Sequence, residues 1–177
     1  LVGSEMCIRD SNKTEVYTDG LSMLQSLMKA ISKAKHHIHL EFYIFEDDPV
    51  GRLLRDLLID KAREGVEIRL LYDDVGCWKV PHLFYDEMRG AGIEARGFLK
   101  VRFPVFTSKV NYRNHRKIVV IDGKVAFTGG MNIALRYMKG FQWGIWRDTH
   151  IKIEGKAVYG LQTAFLTDWY VVDRTLI

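Results

Sequence analysis

The strongest constraint on the fold lies in residues 115–132, HRKIVVIDGKVAFTGGMN. Residues 118–121 are all β-branched and predict a buried strand. The Asp122-Gly123 pair that follows is a strong signal for a tight hairpin turn. The chain is therefore expected to fold back on itself, so that the residues after the turn pair with those before it.

The sequence is compatible with two registers of this hairpin. A turn centred on residues 122–123 places His115 opposite Gly130, and a turn centred one residue later places it opposite Asn132. Because side chains alternate along a strand, both registers predict that His115, Lys117 and Asn132 share one face, with cross-strand Cα separations of roughly 5 Å.

The three side chains suit displacement at phosphorus. A neutral imidazole at His115 can attack a phosphodiester, while Lys117 and Asn132 donate to the non-bridging oxygens as their charge grows. Gly129 and Gly130 carry no Cβ, so that a substrate can approach the backbone closely.

Asp122 has a different place in the hairpin. It lies at the far end of the strand, roughly 17 Å from His115 by strand rise. We expect it to form the turn or to pair with a nearby basic group, rather than to take part in the chemistry.

The spacing His115-x-Lys117, four residues, Asp122, six residues, Gly129-Gly130-x-Asn132 resembles the HKD motif of the phospholipase D superfamily. Further segments resemble the first catalytic domain of bacterial cardiolipin synthases; they are residues 40–54, 65–76, 113–132 and 146–158. The resemblance implies a phospholipase D-like α/β/α domain, a mixed sheet flanked by helices. It also implies two sets of site residues: catalytic His115, Lys117, Asp122, Asn132 and Asp148, and substrate-binding Arg113, Arg116, Gly129 and Gly130.

Asp148 enters through this resemblance, since members of the superfamily use a downstream carboxylate to hold the nucleophilic histidine in the required tautomer. Glu154 is the alternative candidate. A surface aspartate at a strand start remains the plain interpretation of Asp148.

The resemblance implies phosphatidyl transfer between phospholipids through a phosphohistidine, with phosphatidylglycerol as substrate at a membrane surface and no cofactor or metal. Protonation of the leaving group needs the histidine of a second HKD motif, in cis or from a second copy, and this sequence has one motif. Two alternatives stay open: a homodimeric phosphodiesterase or nuclease, although nucleic acid is not the expected partner, and a non-catalytic lipid-binding half-domain.

Composition places the chain among ordinary globular proteins, with 177 residues, 47% hydrophobic and 27% charged. We expect a non-native or disordered leader over residues 1–11 and one phospholipase D-like domain over 12–177, the first half of a truncated two-domain enzyme. The sequence contains no apolar run of about 18 residues. Cys77 is the one cysteine outside the leader, which fits a reducing environment. The expected location is a bacterial cell membrane, with the domain facing the cytoplasm.

Helices and strands are expected to alternate, which predicts an α/β domain with a mixed sheet. The predicted helices are residues 19–34, 49–63, 81–89, a short one from Asn132, and 156–169. The predicted strands, besides the hairpin, are residues 37–45, 66–74, 93–98 and 148–153.

Two further patterns in the sequence each have two interpretations. Residues 95–121 contain no acid and seven basic side chains, a local field for an anionic substrate or a solvated basic face; the seven are Arg96, Lys100, Arg102, Lys109, Arg113, Arg116 and Lys117. His37, His39 and Glu41 alternate on one strand face and could hold a metal, but packing is the expectation.

Overall fold

A computed structural model describes residues 12–98, 113–140, 144 and 146–177. The expected leader over residues 1–11 lies outside these ranges. The strands of the described ranges are β1 Asn12–Tyr17, β2 His37–Phe42, β3 Glu67–Asp73, β4 Glu94–Phe98, β5 Ile118–Ile121, β6 Val125–Gly129 and β7 His150–Gly155. The helices are α1 Gly20–Ile31, α2 Pro49–Arg63, α3 His82–Gly90, α4 Leu135–Lys139 and α5 Val158–Asp173.

The seven strands form one mixed sheet in the order β1-β7-β6-β5-β2-β3-β4. β2, β3 and β4 are parallel, whereas β5 runs antiparallel to β2 and starts the antiparallel half of the sheet. The mixed sheet predicted from the alternation of elements is confirmed. Because β5 is antiparallel to β2, the residues that precede β5 lie at the same sheet edge as those that follow β2.

Helices cover both faces of the sheet. The larger core lies between the sheet and α1, α2 and α3, and includes Leu27, Leu54 and Met88 together with Val119 of β5. On the opposite face α5 packs through Val158, and through Phe165 and Trp169, against β5 and β3. The expected layered α/β/α arrangement is confirmed.

The helix starts follow their capping residues. The Asp19 carboxylate accepts from the Ser22 N–H and the Asp48 carboxylate from the N–H groups of Val50 and Gly51, which satisfies free donors in the first turns of α1 and α2. β1 was not predicted. Its sequence, NKTEVY, has no regular apolar alternation, and its pairing with β7 rests on the backbone ladder.

Both predicted hairpin registers are wrong. Asp122 and Gly123 have φ of 52° and 62°, and the Lys124 N–H donates to the Ile121 carbonyl at 3.0 Å, as the Asp-Gly signal predicts. The ladder, however, resumes one residue later, with Ile121 opposite Val125. This extra residue removes the basis for placing Asn132 on the cross-strand face of His115.

Within the described ranges, no helix is both long and apolar enough to cross a membrane.

Candidate active site

His115 and Lys117 form the centre of the site. They precede β5 and lie near the carboxyl end of β2, where the Tyr43 ring contacts the His115 ring with 4.7 Å between centroids. Lys117 Nζ lies 2.9 Å from His115 Nδ1 and donates to the His115 carbonyl at 2.6 Å. His115 is exposed, while Lys117 is 2% exposed. An accessible imidazole is thus held by a buried amine.

The electrostatics favour a neutral imidazole. Burial lowers the pKa of His115 and the Lys117 charge lowers it further, against Asp73 and Asp148, which raise it. Burial also lowers the pKa of Lys117 to about 8, with Asp148 acting in the opposite direction. At neutral pH the pair therefore combines an uncharged nucleophile with a cation.

Asn132 reaches the same sheet edge by another route than the predicted cross-strand pairing. It is 1% exposed; its Oδ1 accepts from the Ile44 N–H at 3.0 Å, and its Nδ2 donates to the Tyr137 hydroxyl at 2.7 Å. Ile44 is adjacent to Tyr43, whose ring contacts His115. Asn132 is therefore anchored beside the pair by the segment that follows β2.

Asp148 lies against Gly130 of the motif, and the two residues that follow Asp148 lie against Gly129. A Cβ on Gly130 would overlap the Asp148 carboxylate, and the Gly130 N–H donates to the Thr149 carbonyl at 2.9 Å. Gly129 has a φ of 155°, and a Cβ there would overlap Thr149 and His150. In this structure the glycines bring β7 and its acid close to the motif, a role that differs from the predicted approach of substrate to bare backbone.

The alternative acid, Glu154, lies at the other end of β7. It lines a surface pocket together with Asp122 and hydrogen-bonds with Lys152. The structure thus brings Asp148, and not Glu154, to the site.

Asp122 lies in the turn, as predicted, at the opposite end of β5 from His115. Its carboxylate accepts from the backbone N–H groups of Lys35, His36 and His37 at 2.8–3.0 Å. Of the two expected roles, the structure shows the turn; backbone donors at the start of β2, and not a basic side chain, hydrogen-bond to this carboxylate. Although burial would raise the pKa of Asp122, these three hydrogen bonds lower it.

The two arginines of the motif region have different partners. Arg113 Nη1 lies 3.7 Å from the buried carboxylate of Asp73. The charge of Asp73 is close enough to His115 to raise the pKa of the imidazole. Arg116 pairs with Asp168 of α5, on the face of the sheet away from His115. Of the other predicted basic residues, Lys100, Arg102 and Lys109 lie outside the described residues.

Sequence reasoning missed several buried polar groups around the motif. Tyr43 has Lys117 Nζ 5.5 Å from its ring centroid, and Glu41 and Asp168 both bind Asn114. His150, 1% exposed, has its pKa lowered by burial to about 4, and its Nδ1 has no hydrogen-bond partner among the described residues. Tyr43 and Glu41 lie in residues 40–54, one of the segments that carry the resemblance, but neither residue belongs to the HKD motif.

The strand-face trio has packing partners. His39 stacks on Phe165 with 4.6 Å between centroids and hydrogen-bonds with Gln162. Among the described residues no group of three or more His, Cys, Asp or Glu side chains could hold a metal ion.

The fold is that of phospholipase D proteins. The phospholipase D family member Nuc from Salmonella typhimurium superposes with a TM-score of 0.67 at 17% identity, covering 91% of this chain and 96% of Nuc. A phosphatidylserine synthase from Haemophilus influenzae superposes with a TM-score of 0.69 at 18% identity, covering 88% of this chain and 36% of that one.

Sequence comparison defines the family. Residues 27–169 match the family described as cardiolipin synthase, PLD-like domain. The cardiolipin synthase of Alkalihalophilus pseudofirmus is 48% identical over 94% of this chain, and the major cardiolipin synthase of Bacillus subtilis is 42% identical over 96%. This chain belongs to the phospholipase D-like domain family of cardiolipin synthases. It spans 34% and 35% of the length of those two relatives.

Proposed function

We propose that this chain supplies one half of an active site that transfers a phosphatidyl group between phospholipids through a phosphohistidine at His115. The observation that carries the proposal is the exposed His115 imidazole with the buried Lys117 Nζ 2.9 Å from its Nδ1. The similarity to cardiolipin synthases supports phosphatidylglycerol as the substrate.

In the first step His115 Nε2, the ring nitrogen that Lys117 leaves free, attacks phosphorus. The N–P bond forms as the P–O bond to glycerol breaks, while Lys117 and Asn132 stabilise the phosphoryl oxygens. Nε2 attacks when the imidazole proton is on Nδ1, and Asp148 is the acid whose charge reaches both His115 and Lys117. We assign Asp148 the role of accepting a hydrogen bond from the Nδ1–H group, which holds this tautomer, once Lys117 turns to the substrate.

The departing glycerol oxygen needs a proton, and we propose that the histidine of a second HKD motif donates it, either in cis or from a second copy of this chain. That second histidine, now deprotonated, takes the proton from the hydroxyl of a second phosphatidylglycerol as the hydroxyl attacks phosphorus; the N–P bond breaks, and cardiolipin leaves. No step of this proposed reaction requires a cofactor.

We further propose that the domain works against an anionic membrane surface. Trp78 is 74% exposed and Leu83 67% exposed, and Lys79 Nζ lies 5.4 Å from the Trp78 ring centroid. These residues follow β3, which is parallel to β2, so they belong to the sheet edge that carries His115. Aromatic, apolar and basic side chains together suit the bilayer interface.

A phosphodiester with a nitrophenol leaving group tests the covalent step, because nitrophenolate departs without protonation. We expect the monomeric chain to release one burst of nitrophenolate and to retain the phosphoryl group on His115. Matched variants are His115→Ala, which should lose the burst, and His82→Ala, at an exposed histidine of α3, which should keep it.

Phosphatidylglycerol itself tests the need for a second motif. A proven monomer is expected to make no cardiolipin, and robust turnover would contradict the half-site. Cleavage of DNA that is lost in His115→Ala would instead support the nuclease alternative.

A further inference from the structure

Two buried carboxyl groups meet on the α5 face of the sheet, behind the segment that carries His115. Glu41 of β2 is 2% exposed and Asp168 of α5 is 8% exposed. The Asn114 amide Nδ2 donates to Glu41 Oε1 and, at 3.2 Å, to Asp168 Oδ2. Both acids therefore bind the residue that immediately precedes His115.

The charges around these acids are unequal. The Arg116 guanidinium contacts Asp168 and not Glu41. Glu41 Oε2 has no hydrogen-bond partner among the described residues, although an ionised carboxylate would need donors at both oxygens in a buried site. One guanidinium thus faces two carboxyls, and it contacts only the less deeply buried one.

We propose that Glu41 is a protonated carboxylic acid that shares its proton with Asp168, and that the pair fixes Asn114 and Arg116, the two neighbours of His115, as positioning residues for the nucleophile. Two buried carboxyls in contact do not both ionise, because neither burial nor mutual repulsion favours a second negative charge. The role in positioning His115 rests on the proposed function; the shared proton does not.

The surroundings of Glu41 support the assignment. Burial, the charge of Asp168 and a hydrogen bond with Asp168 raise the pKa of Glu41 to about 9, against Arg116 and Asn114, which lower it. The charged and polar neighbours come from the segment before β5, with Asn114 and Arg116, and from α5, with Asp168. On the parallel neighbour β3, the residue opposite Glu41 is the apolar Leu71.

The consequence for His115 follows from the backbone. The Arg116 N–H donates to Asn114 Oδ1 at 3.0 Å, so the amide that binds the acid pair also closes a turn around His115. With its flanking residues held on the α5 face, His115 is presented to the opposite face, where Tyr43 and Lys117 contact it.

The first experiment compares thermal unfolding of the wild-type chain and Glu41→Gln between pH 5 and pH 9. Above pH 4.5 the unfolded chain releases the Glu41 proton, and the folded chain keeps it up to about pH 9. Wild-type stability therefore decreases with pH through this window, and glutamine, which cannot ionise, removes that loss. We expect the melting temperature of Glu41→Gln to rise relative to wild type as the pH increases.

The control is Glu67→Gln, at a side chain 71% exposed on β3, for which a constant difference is expected. If Glu41 were an ionised partner of Arg116, the folded and unfolded chains would both be ionised at this residue between pH 5 and pH 9, so the difference between its glutamine variant and wild type would not change with pH, and the proposal would be overturned. Carbon-13 NMR of the wild-type glutamate carboxyls needs no variant: one should remain protonated at pH 7, and uniform ionisation would equally overturn it.

The second experiment measures the nitrophenolate burst at pH 7. Glu41→Gln retains the amide contact and should keep the wild-type burst rate, whereas Glu41→Ala, even where it is folded, should lower it about tenfold or more. Equal rates for the glutamine and alanine variants would refute the positioning role. A wild-type chain without a burst would refute the proposed function, and the melting and NMR results would still decide the shared proton.

Discussion

Lys117 has an environment in which a lysine is seldom found, because it is almost fully buried and its pKa is lowered to about 8. Burial of a charged ammonium is unfavourable, and we attribute it to the role of this charge in stabilising the oxygens of a phosphoryl group. We expect Lys117→Met to lower the nitrophenolate burst rate about 10²–10³-fold, the effect of removing one charge-stabilising donor. Its melting temperature at pH 7 should not fall, since a buried charge is removed. A normal burst rate would contradict the assigned role.

The pKa of Lys117 also predicts a pH dependence. Its ammonium form is complete well below pH 8 and is lost as the pH rises through about 8. The wild-type burst rate should therefore decrease above this pH, by up to tenfold per unit. A rate that stays constant to pH 10 would show that the charge of Lys117 is not used.

Asp148 and Glu154, which lie just before the start and near the end of β7, allow a matched comparison of two carboxyl variants. We expect Asp148→Asn to lower the burst rate at least tenfold, because the amide cannot stabilise a proton on His115 Nδ1. Glu154→Gln, at the other end of β7, should leave the rate unchanged. Equal loss in both variants would indicate a general effect on β7 instead.

The sequence predicted that His115 and Lys117 share one face, but it did not predict the acid pair behind them. The motif residues are close in sequence, so spacing alone restricts their geometry. Glu41 and Asp168 come from β2 and α5, and only the packing of α5 on the sheet brings them together. From the strand alone, Glu41 was expected to pack beside His37 and His39, with a metal site as the alternative.

At the level of elements, apolar periodicity and capping residues predicted every described helix to within a few residues. The failures have local causes. β1 is an edge strand whose side chains alternate without a regular apolar face, and the hairpin inserts one residue between a correctly predicted turn and its ladder. Such an insertion leaves no signal in the Asp-Gly pair itself.

The turn of the hairpin is fastened to β2 by Asp122. We expect Asp122→Ala to lower the free energy of unfolding by about 2 kcal/mol, because three backbone N–H groups lose a charged acceptor and alanine disfavours the positive φ. Asp122→Asn tolerates that φ and should cost less. Chemical denaturation measures both. The burst rate of the folded fraction should stay normal; a specific loss would place Asp122 in the chemistry.

Because the pKa of Asp122 is lowered, the stability that its hydrogen bonds contribute should depend on pH in the acid range. Its contribution to stability is complete above pH 3.8 and is lost as the pH falls through the depressed folded pKa. The stability difference between wild type and Asp122→Asn should accordingly shrink on acidification below pH 4. A difference independent of pH would show that the hydrogen bonds do not depend on the carboxylate charge.

For the whole molecule, the site and the exposed apolar residues share one edge of the sheet. If the substrate of His115 is a phospholipid, as we propose, its acyl chains lie in a bilayer, and the surface around the site would then face lipid. Trp78 and Leu83 provide apolar side chains at that edge, with Lys79 beside them. Lys79 and His115 would then approach the membrane surface together with these apolar side chains.

Binding to vesicles tests this orientation with the chain as it is. We expect it to sediment with phosphatidylglycerol vesicles more strongly than with phosphatidylcholine vesicles, and Trp78→Ala or Leu83→Ala to weaken the partition about tenfold, in line with roughly 1.5–3 kcal/mol for burying such a side chain. Tyr159→Ala, 66% exposed on α5, is the control that should bind normally. If all three variants weaken binding equally, the protein meets lipid without a preferred face, and the edge that carries His115 is not its membrane surface.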